Sequence, residues 1–412
     1  MSHTIAKPKS NYTKRPVSYK SRQNDYKHRE PVFKHASVKS RAVNRSSRIY
    51  KRKMALLLPA HNEELIIQTT IRSALAAGQA KEDIYVVDDA STDNTRRKAV
   101  ELLGRKQVLT VEKSGKARAV YQAIVFFEIQ SRYTWLHVAD ADSVFGKDYF
   151  KIYRRGLVGK KYSAAVGFVQ SLRGNWISKY RVFSYTYGQQ VLRRLQSWMG
   201  MVSVFPGPVT SFRTDIISKL DFSAESLTED FDITLQFHRK KLGKIKYIPG
   251  AVNYTQDPLT LRDFCKQTSR WHRGFFQGVR KYRVGSKAQA IDIYIAYQLL
   301  ETLIYLLQMF VVLPLIIANT HPHRWVAIPS VLLADYLVVS FLAVFTAISA
   351  KRYSILSVFP LFYFMRMVEL TIFIKAFIEV IVLRKFKEQI VGWQTEGRRY
   401  SLDSNALKDV AK

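Results

Sequence analysis

Between Met54 and Asp142 one unit recurs: a short apolar run, a polar helix-opening segment, and a helix-length stretch closed by glycine or polar residues. The apolar runs are Met54 to Leu58 ending at Pro59, Ile84 to Val87 ending in Asp88-Asp89, Gln107 to Val111, and Thr134 to Val138. Helices are expected from Asn62-Glu63-Glu64 to a stop at Gly78, from Ser91-Thr92-Asp93 to about Gly104, and from Lys116 to about Gln130. Acids and small polar residues satisfy the free N–H groups of a first turn, and glycine ends a helix. Four strands joined by three crossover helices predict an α/β fold on a parallel sheet.

Open parallel sheets bind ligands beyond the carboxyl ends of their strands. Those ends carry Pro59-Ala60-His61-Asn62-Glu63, Asp88-Asp89, Lys113-Ser114-Gly115-Lys116 and Asp140-Ala141-Asp142. Any one of these acids alone is an ordinary turn or cap residue. Four polar clusters at four corresponding ends point to a site. No G-x-G-x-x-G follows the first strand and no G-x-x-x-x-G-K-[ST] occurs, so the dinucleotide and P-loop classes lose their main support. The D-x-D pair sets two carboxylates close together, and a hard divalent cation shared with phosphate oxygens relieves their repulsion. A metal-bound diphosphate is the ligand class this pattern expects.

Further along, Gln267, Arg270 and Trp271 stand at i, i+3 and i+4, so on a helix an amide, a fixed cation and an aromatic ring share one face. Around them Leu259 to Tyr282 interleaves aromatic and basic residues, the make-up of a helix lying in a bilayer interface. Thr228-Glu229-Asp230 suits a helix N-terminus. Two apolar stretches follow, Gln298 to Ala318 and Val326 to Ala350, each near the roughly 20 residues a bilayer requires. Lys351-Arg352 between the second and third apolar regions puts that turn on the inner side. The third region, Ile355 to Leu383, carries Arg366, Glu369, Lys375 and Glu379, and is expected to be re-entrant, interfacial or a short hairpin. Glu301 and Asp335 either pair with Arg366, line an acceptor path or snorkel at a membrane edge.

The 412 residues carry a formal charge of +33, yet 47% are hydrophobic, so charge and apolar surface must be segregated. Residues 1–53 hold only Asp25 and Glu30 as acids and lack an apolar signal core. This basic tail is expected to be disordered, either solvated or drawn to anionic lipid headgroups. A lone cysteine, Cys265, excludes an intramolecular disulfide and fits a reducing compartment. Nucleic acid binding is the competing reading of so basic a chain. The apolar C-terminal third asks for lipid instead, and no nucleic acid partner is expected.

With these residues in view, the sequence resembles the membrane-associated family-2 glycosyltransferases, the group with chitin, hyaluronan, cellulose and poly-N-acetylglucosamine synthases. The matching words are Pro59-Ala60-x-Asn62-Glu63, Val87-Asp88-Asp89, Gly115-Lys116-Ala117, Asp140-Ala141-Asp142, Thr228-Glu229-Asp230 and Gln267-x-x-Arg270-Trp271. The resemblance implies a GT-A, Rossmann-like domain with a mostly parallel sheet over 54–257. It also implies a QxxRW-bearing interfacial region over 258–290, a membrane region of two to four spans over 291–386, and a basic cytoplasmic tail over 387–412 into which Trp393 to Arg399 falls. It implies a nucleotide-sugar donor, most often a UDP-sugar, contacted by Pro59, Glu63, Asp89, Lys116, Asp140 and Arg270. Asp142, with Asp140, would hold Mg2+ or Mn2+; Asp230 would be the catalytic base; and Gly207, Gln267 and Trp271 would meet the acceptor. His61 stands where many relatives have tyrosine. Phe205 to Arg213 departs from the common Ser-Gly acceptor loop in its Pro206-Gly207-Pro208 form.

The leading expectation is an inverting, metal-dependent transferase building a β-linked polysaccharide at the inner face of a cytoplasmic membrane. Its partners would be the donor, a glycan or lipid-linked acceptor and membrane lipids. Single transfer to a lipid-linked or small glycan is the alternative. It gains weight because the N-terminal spans of many synthases are missing, which a membrane partner subunit could supply. A membrane scaffold with a degenerate transferase domain is disfavoured by the intact acids.

Overall fold

A computed structural model of the chain describes residues 52–157, 161–172, 174–222, 226–319 and 324–385. All but the last two residues of the expected N-terminal tail, and the whole 387–412 tail with its Trp393 to Arg399 segment, lie outside them.

The alternation is realised as β1 (Arg52–Ala60), α1 (Ile67–Ala76), β2 (Ile84–Asp89), α2 (Thr95–Leu103), β3 (Val108–Val111), α3 (Lys116–Phe126), the single turn α4 (Ile129–Arg132) and β4 (Tyr133–Val138). β1 pairs in parallel with β2 and β4, and β2 with β3, as the crossovers require. Two helix limits differ from expectation. Asn62, Glu63 and Glu64 do not open α1, because their N–H groups donate to Ser91, Asp93 and Thr95 side chains and tie the first strand end to the second. α3 stops four residues early, where Glu128 takes a left-handed φ of 52°.

The second half adds β5 (Ser143–Phe145), α5 (Tyr149–Gly156), β6 (Tyr162–Ser171), α6 (Trp176–Tyr187), α7 (Arg193–Trp198), β7 (Thr210–Arg213), α8 (Glu229–Arg239) and β8 (Lys244–Thr255). The eight strands form one sheet in the order β3-β2-β1-β4-β7-β6-β8-β5. β7 runs antiparallel to both β4 and β6, and β5 antiparallel to β8, so the mostly parallel, GT-A-like sheet is mixed. Helices cover both faces. β1 sends Met54, Leu56 and Leu58 into the core beneath α1, α2 and α5, and Ala55 and Leu57 into the core beneath α3 and α8. That double burial explains its unbroken apolar run.

After β8 come α9 (Leu261–Lys281), α10 (Ala290–Leu307), α11 (Leu313–Asn319), α12 (Arg324–Ser349) and α13 (Phe362–Phe377). α9 is the expected amphipathic helix, but protein covers its apolar face: Phe264 packs with Ile177, Tyr180 and Met365, and Phe276 with Ala376 and Val380. Among the described residues one helical run, Ala290–Val312, is long and apolar enough to cross a membrane, and Tyr336–Ser349 is apolar but shorter. Asp335 lies where side chains are not described. The third apolar region is no straight helix: a 3-10 run, Tyr353–Leu361, contains Pro360 and leads into α13.

Candidate active site

A cleft of about 960 Å3 opens beyond the carboxyl ends of the sheet. It is walled by Glu63, Lys116, Asp140, Asp142, Gly207, Asp230, Gln267, Arg270 and Trp271, so residues from six separate stretches of chain meet in one space. Pro59 and Asp89 are not on its wall. Pro59 is buried inside β1, in register with Val87. Asp89, fully buried, accepts from the Ser114 N–H at 2.7 Å and the Gly115 N–H at 2.9 Å, so it clamps the loop that presents Lys116. Gly115 holds a φ of 83° there, which an L-residue adopts only under strain. His61 is also buried, its Nδ1 2.8 Å from the Asp89 carbonyl oxygen.

Lys116 begins α3 and reaches two acids, with its Nζ 2.6 Å from Asp140 Oδ1 and 3.0 Å from Glu229 Oε1. Burial acts against the ammonium, but the two carboxylates outweigh it and raise the Lys116 pKa. Burial likewise acts against the Glu229 carboxylate, and the charges of Lys116 and Arg270 overcome it and lower the pKa. Gly207 closes in on the same pair: a Cβ there would stand 2.9 Å from Lys116 Nζ and 3.2 Å from both Asp140 oxygens.

Asp230 behaves differently from its neighbour. Burial, and then the Glu229 charge, push its carboxyl up to about 6, although Lys116 and the Phe231 N–H, which donates to it at 2.8 Å, pull the other way. Both acids lie in the first turn of α8, with Thr228 as N-cap, as the sequence implied. Arg270 donates to the Leu227 carbonyl at 3.1 Å and so braces the approach to that turn. Gln267, Arg270 and Trp271 do share one face of α9, and that face looks into the cleft.

Sequence reasoning undervalued Glu229, which is the second anchor of Lys116; its place beside Asp230 was the available signal. It missed His272, an imidazole on the cleft wall held neutral by burial, with a pKa lowered to about 4. It also missed Arg193, a cleft-lining guanidinium in α7 that no motif marks.

Among the described residues no group of three metal-ligating side chains is gathered. Asp140 and Asp142, two positions apart in sequence, nevertheless both line the cleft. One or two carboxylates completed by substrate phosphate oxygens is the usual setting for Mg2+ and Mn2+-type hard cations. The donor set fits a metal that arrives with a diphosphate, not one caged by protein alone.

The cleft at the carboxyl ends of this sheet therefore gathers a charged lysine paired with two carboxylates and, beside them, a carboxyl raised to about 6. The sequence profile of the family described as Glycosyl transferase family group 2 matches residues 135–371, and the chain belongs to that family. It is 25% identical over 272 residues to the poly-beta-1,6-N-acetyl-D-glucosamine synthase of Staphylococcus aureus, a match spanning 63% of this chain and 63% of that relative. To the enzyme of the same name from Staphylococcus epidermidis it is 25% identical over 227 residues, 54% of each chain. Among solved structures it is similar to a mannosyltransferase from Pyrobaculum calidifontis in complex with GDP-Man and Mn2+, at 16% identity and a TM-score of 0.47 over 75% of this chain and 87% of the other. It is also similar to glucosyl-3-phosphoglycerate synthase from Mycobacterium tuberculosis, at 17% identity and a TM-score of 0.40 over 57% and 81%.

Proposed function

We propose that the protein is an inverting glycosyltransferase that moves a sugar from a nucleotide diphosphate donor, a UDP-sugar, onto a growing β-linked polysaccharide at a membrane. The observation that carries this reading is Asp230, a carboxyl raised to about 6 in the same cleft as Lys116, Asp140, Asp142, Gln267, Arg270 and Trp271. An acceptor hydroxyl oxygen attacks the anomeric carbon as the bond from that carbon to the diphosphate oxygen breaks. Asp230 takes the hydroxyl proton, a role suited to a base whose pKa lies near the working pH. Lys116 and Arg270 stabilise the negative charge that leaves with the nucleotide. Asp140 and Asp142 would hold Mg2+ or Mn2+, whose charge offsets that of the diphosphate when bound. Glu63 lines the donor end; Pro59 and Asp89 act from behind, by shaping the loops that the donor meets.

N-acetylglucosamine is the sugar favoured by the staphylococcal relatives. Transfer to a lipid-linked acceptor is the second reading. It draws support from the reach of the cleft to Gln298, Glu301, Tyr305, Arg366 and Phe373 on α10 and α13, polar and aromatic groups set among apolar helices. Turnover of UDP-N-acetylglucosamine and UDP-glucose by the detergent-solubilised full chain, with Mg2+ or Mn2+ and with Asp230→Asn as control, tests both. A high-mass, metal-dependent product absent from the variant is expected. A product of fixed small mass would favour the second reading, and no turnover of any donor would count against both.

A further inference from the structure

The α9 side of the cleft rests on one buried cation. Arg181, on α6, is 3% exposed and is not itself on the cleft wall. Its Nη2 donates to Gln267 Oε1 at 3.0 Å and to Thr268 Oγ1 at 3.2 Å. Its guanidinium carbon lies 4.3 Å from the centre of the Phe264 ring, 4.6 Å from that of Trp271 and 5.8 Å from that of Tyr185. Three of the groups it touches, Gln267, Trp271 and Tyr185, do line the cleft. Among the described residues it forms no ion pair, and its Nε has no acceptor. The acid that faces it, Glu369, is engaged by the Tyr180 hydroxyl at 3.0 Å.

A guanidinium can only donate. Gln267 must therefore turn its amide oxygen to Arg181, which leaves the amide NH2 as the group available to a ligand. Stacking against a planar cation also fixes the plane of the Trp271 indole, something a lysine ammonium does poorly. Arg181 thus sets the polarity of one neighbour and the orientation of the other. His272, next on α9, is kept neutral by burial and by the same cation, so this wall offers an acceptor no second positive charge from that residue.

We propose that Arg181 is the positioning residue of the acceptor wall: it holds Gln267 as a hydrogen-bond donor and Trp271 as a fixed platform, selecting a pyranose that offers a hydroxyl or acetamido oxygen beside a flat ring face. This deepens the transferase reading above and rests on it for the word acceptor.

The test is binding of a β-linked N-acetylglucosamine oligosaccharide to the full chain by titration calorimetry, with donor hydrolysis measured alongside. Arg181→Met is expected to weaken oligosaccharide binding about tenfold, the scale of one charged hydrogen bond, while the KM for donor hydrolysis stays within about twofold. Arg181→Lys, which still donates but cannot stack, should fall between. Gln267→Glu keeps a partner for Arg181 but faces the cleft with an oxygen that cannot donate, and should lose at least as much. Unchanged binding in Arg181→Met and Gln267→Glu overturns the proposal, as does an equal loss of oligosaccharide and donor affinity. Should Arg181→Met fail to fold, Arg181→Lys and Gln267→Glu decide by the same criteria. Absence of binding by the unsubstituted protein also overturns it, whereas binding without any turnover counts against the transferase reading and leaves Arg181 to be judged by the variants.

Discussion

Glu229 and Asp230 are adjacent, share one helix turn, and are driven in opposite directions. Glu229 points its carboxylate at Lys116 and stays ionised, while Asp230 has burial and the Glu229 charge against it. Two carboxylates whose environments separate their proton affinities is how acid and base roles are divided in one site. The sign of the pH effect follows. Asp230 must be deprotonated to accept a proton, so turnover should fall as pH drops through about 6, and the pH profile of kcat/KM checks this. Asp230→Asn should lose turnover by at least about 10²-fold. Because the carboxyl is raised from 3.8 to about 6, its charged form opposes folding above that pH, so the variant should melt no lower than the parent at pH 7. Gly207 makes a second prediction at this scale. A methyl group there would crowd Lys116 and Asp140, so Gly207→Ala should raise donor KM about tenfold, a cost of ~1–2 kcal/mol typical of overpacking, with oligosaccharide binding little changed. Equal effects on donor and acceptor would show that the loop serves both.

At the scale of elements, α8 carries Glu229 and Asp230 and is clamped at both ends by the chain that follows it. Its N-terminal half touches α9 where Gly274 and Gly278 leave no room: a Cβ at Gly274 would run into Thr228, and one at Gly278 would meet Phe231 at 2.7 Å and Leu235 at 2.9 Å. Its C-terminal end is bolted to the start of α10 by Arg239, which donates to both oxygens of the buried Asp292 at 2.7 and 2.6 Å. Removing one partner of a buried pair leaves the other without its counter-ion, a loss of up to about 3–5 kcal/mol that the Gln289 and Tyr282 oxygens on Arg239 offset in part, whereas a misfitted side chain costs about 1–3 kcal/mol. Asp292→Ala should therefore lower Tm more than Gly274→Ala. Gly274→Ala, by shifting the turn that holds Asp230, should depress kcat beyond what its Tm loss explains, and calorimetry with steady-state kinetics checks both. The Gly-x-x-x-Gly spacing was visible in the chain, but nothing local showed that α8 would be its partner.

Across the whole molecule, a carboxylate-lined cleft continues into helices whose outer surface is apolar. α10 turns Ile293, Tyr297, Leu300, Ile304 and Leu307 outward, more than half of each or close to it exposed, an arrangement that water disfavours. The same helix gives Gln298, Glu301 and Thr302 to the cleft, so the cleft lining and the exposed apolar surface share one element. The chain should remain in the membrane pellet through an alkaline carbonate wash. Release into the supernatant would mean that another protein covers the α10 face.

What the sequence determined by itself was local: the four strands and the three helices between them, the polar clusters at the strand ends, the helix N-terminus at Thr228-Glu229-Asp230, and the common face of Gln267, Arg270 and Trp271. Each follows from periodicity and capping within a few residues, and each is present in the fold. Only the tertiary structure decided who meets whom. β7 enters antiparallel between β4 and β6, out of chain order, and that insertion carries Gly207 onto the Lys116–Asp140 pair. The same folding made Asp89 a clamp for the Ser114–Gly115 loop and set Arg181 against Trp271. Such partnerships depend on sheet order and on the angles at which helices cross, and these are fixed by burial of whole faces. No window of neighbouring residues contains that information.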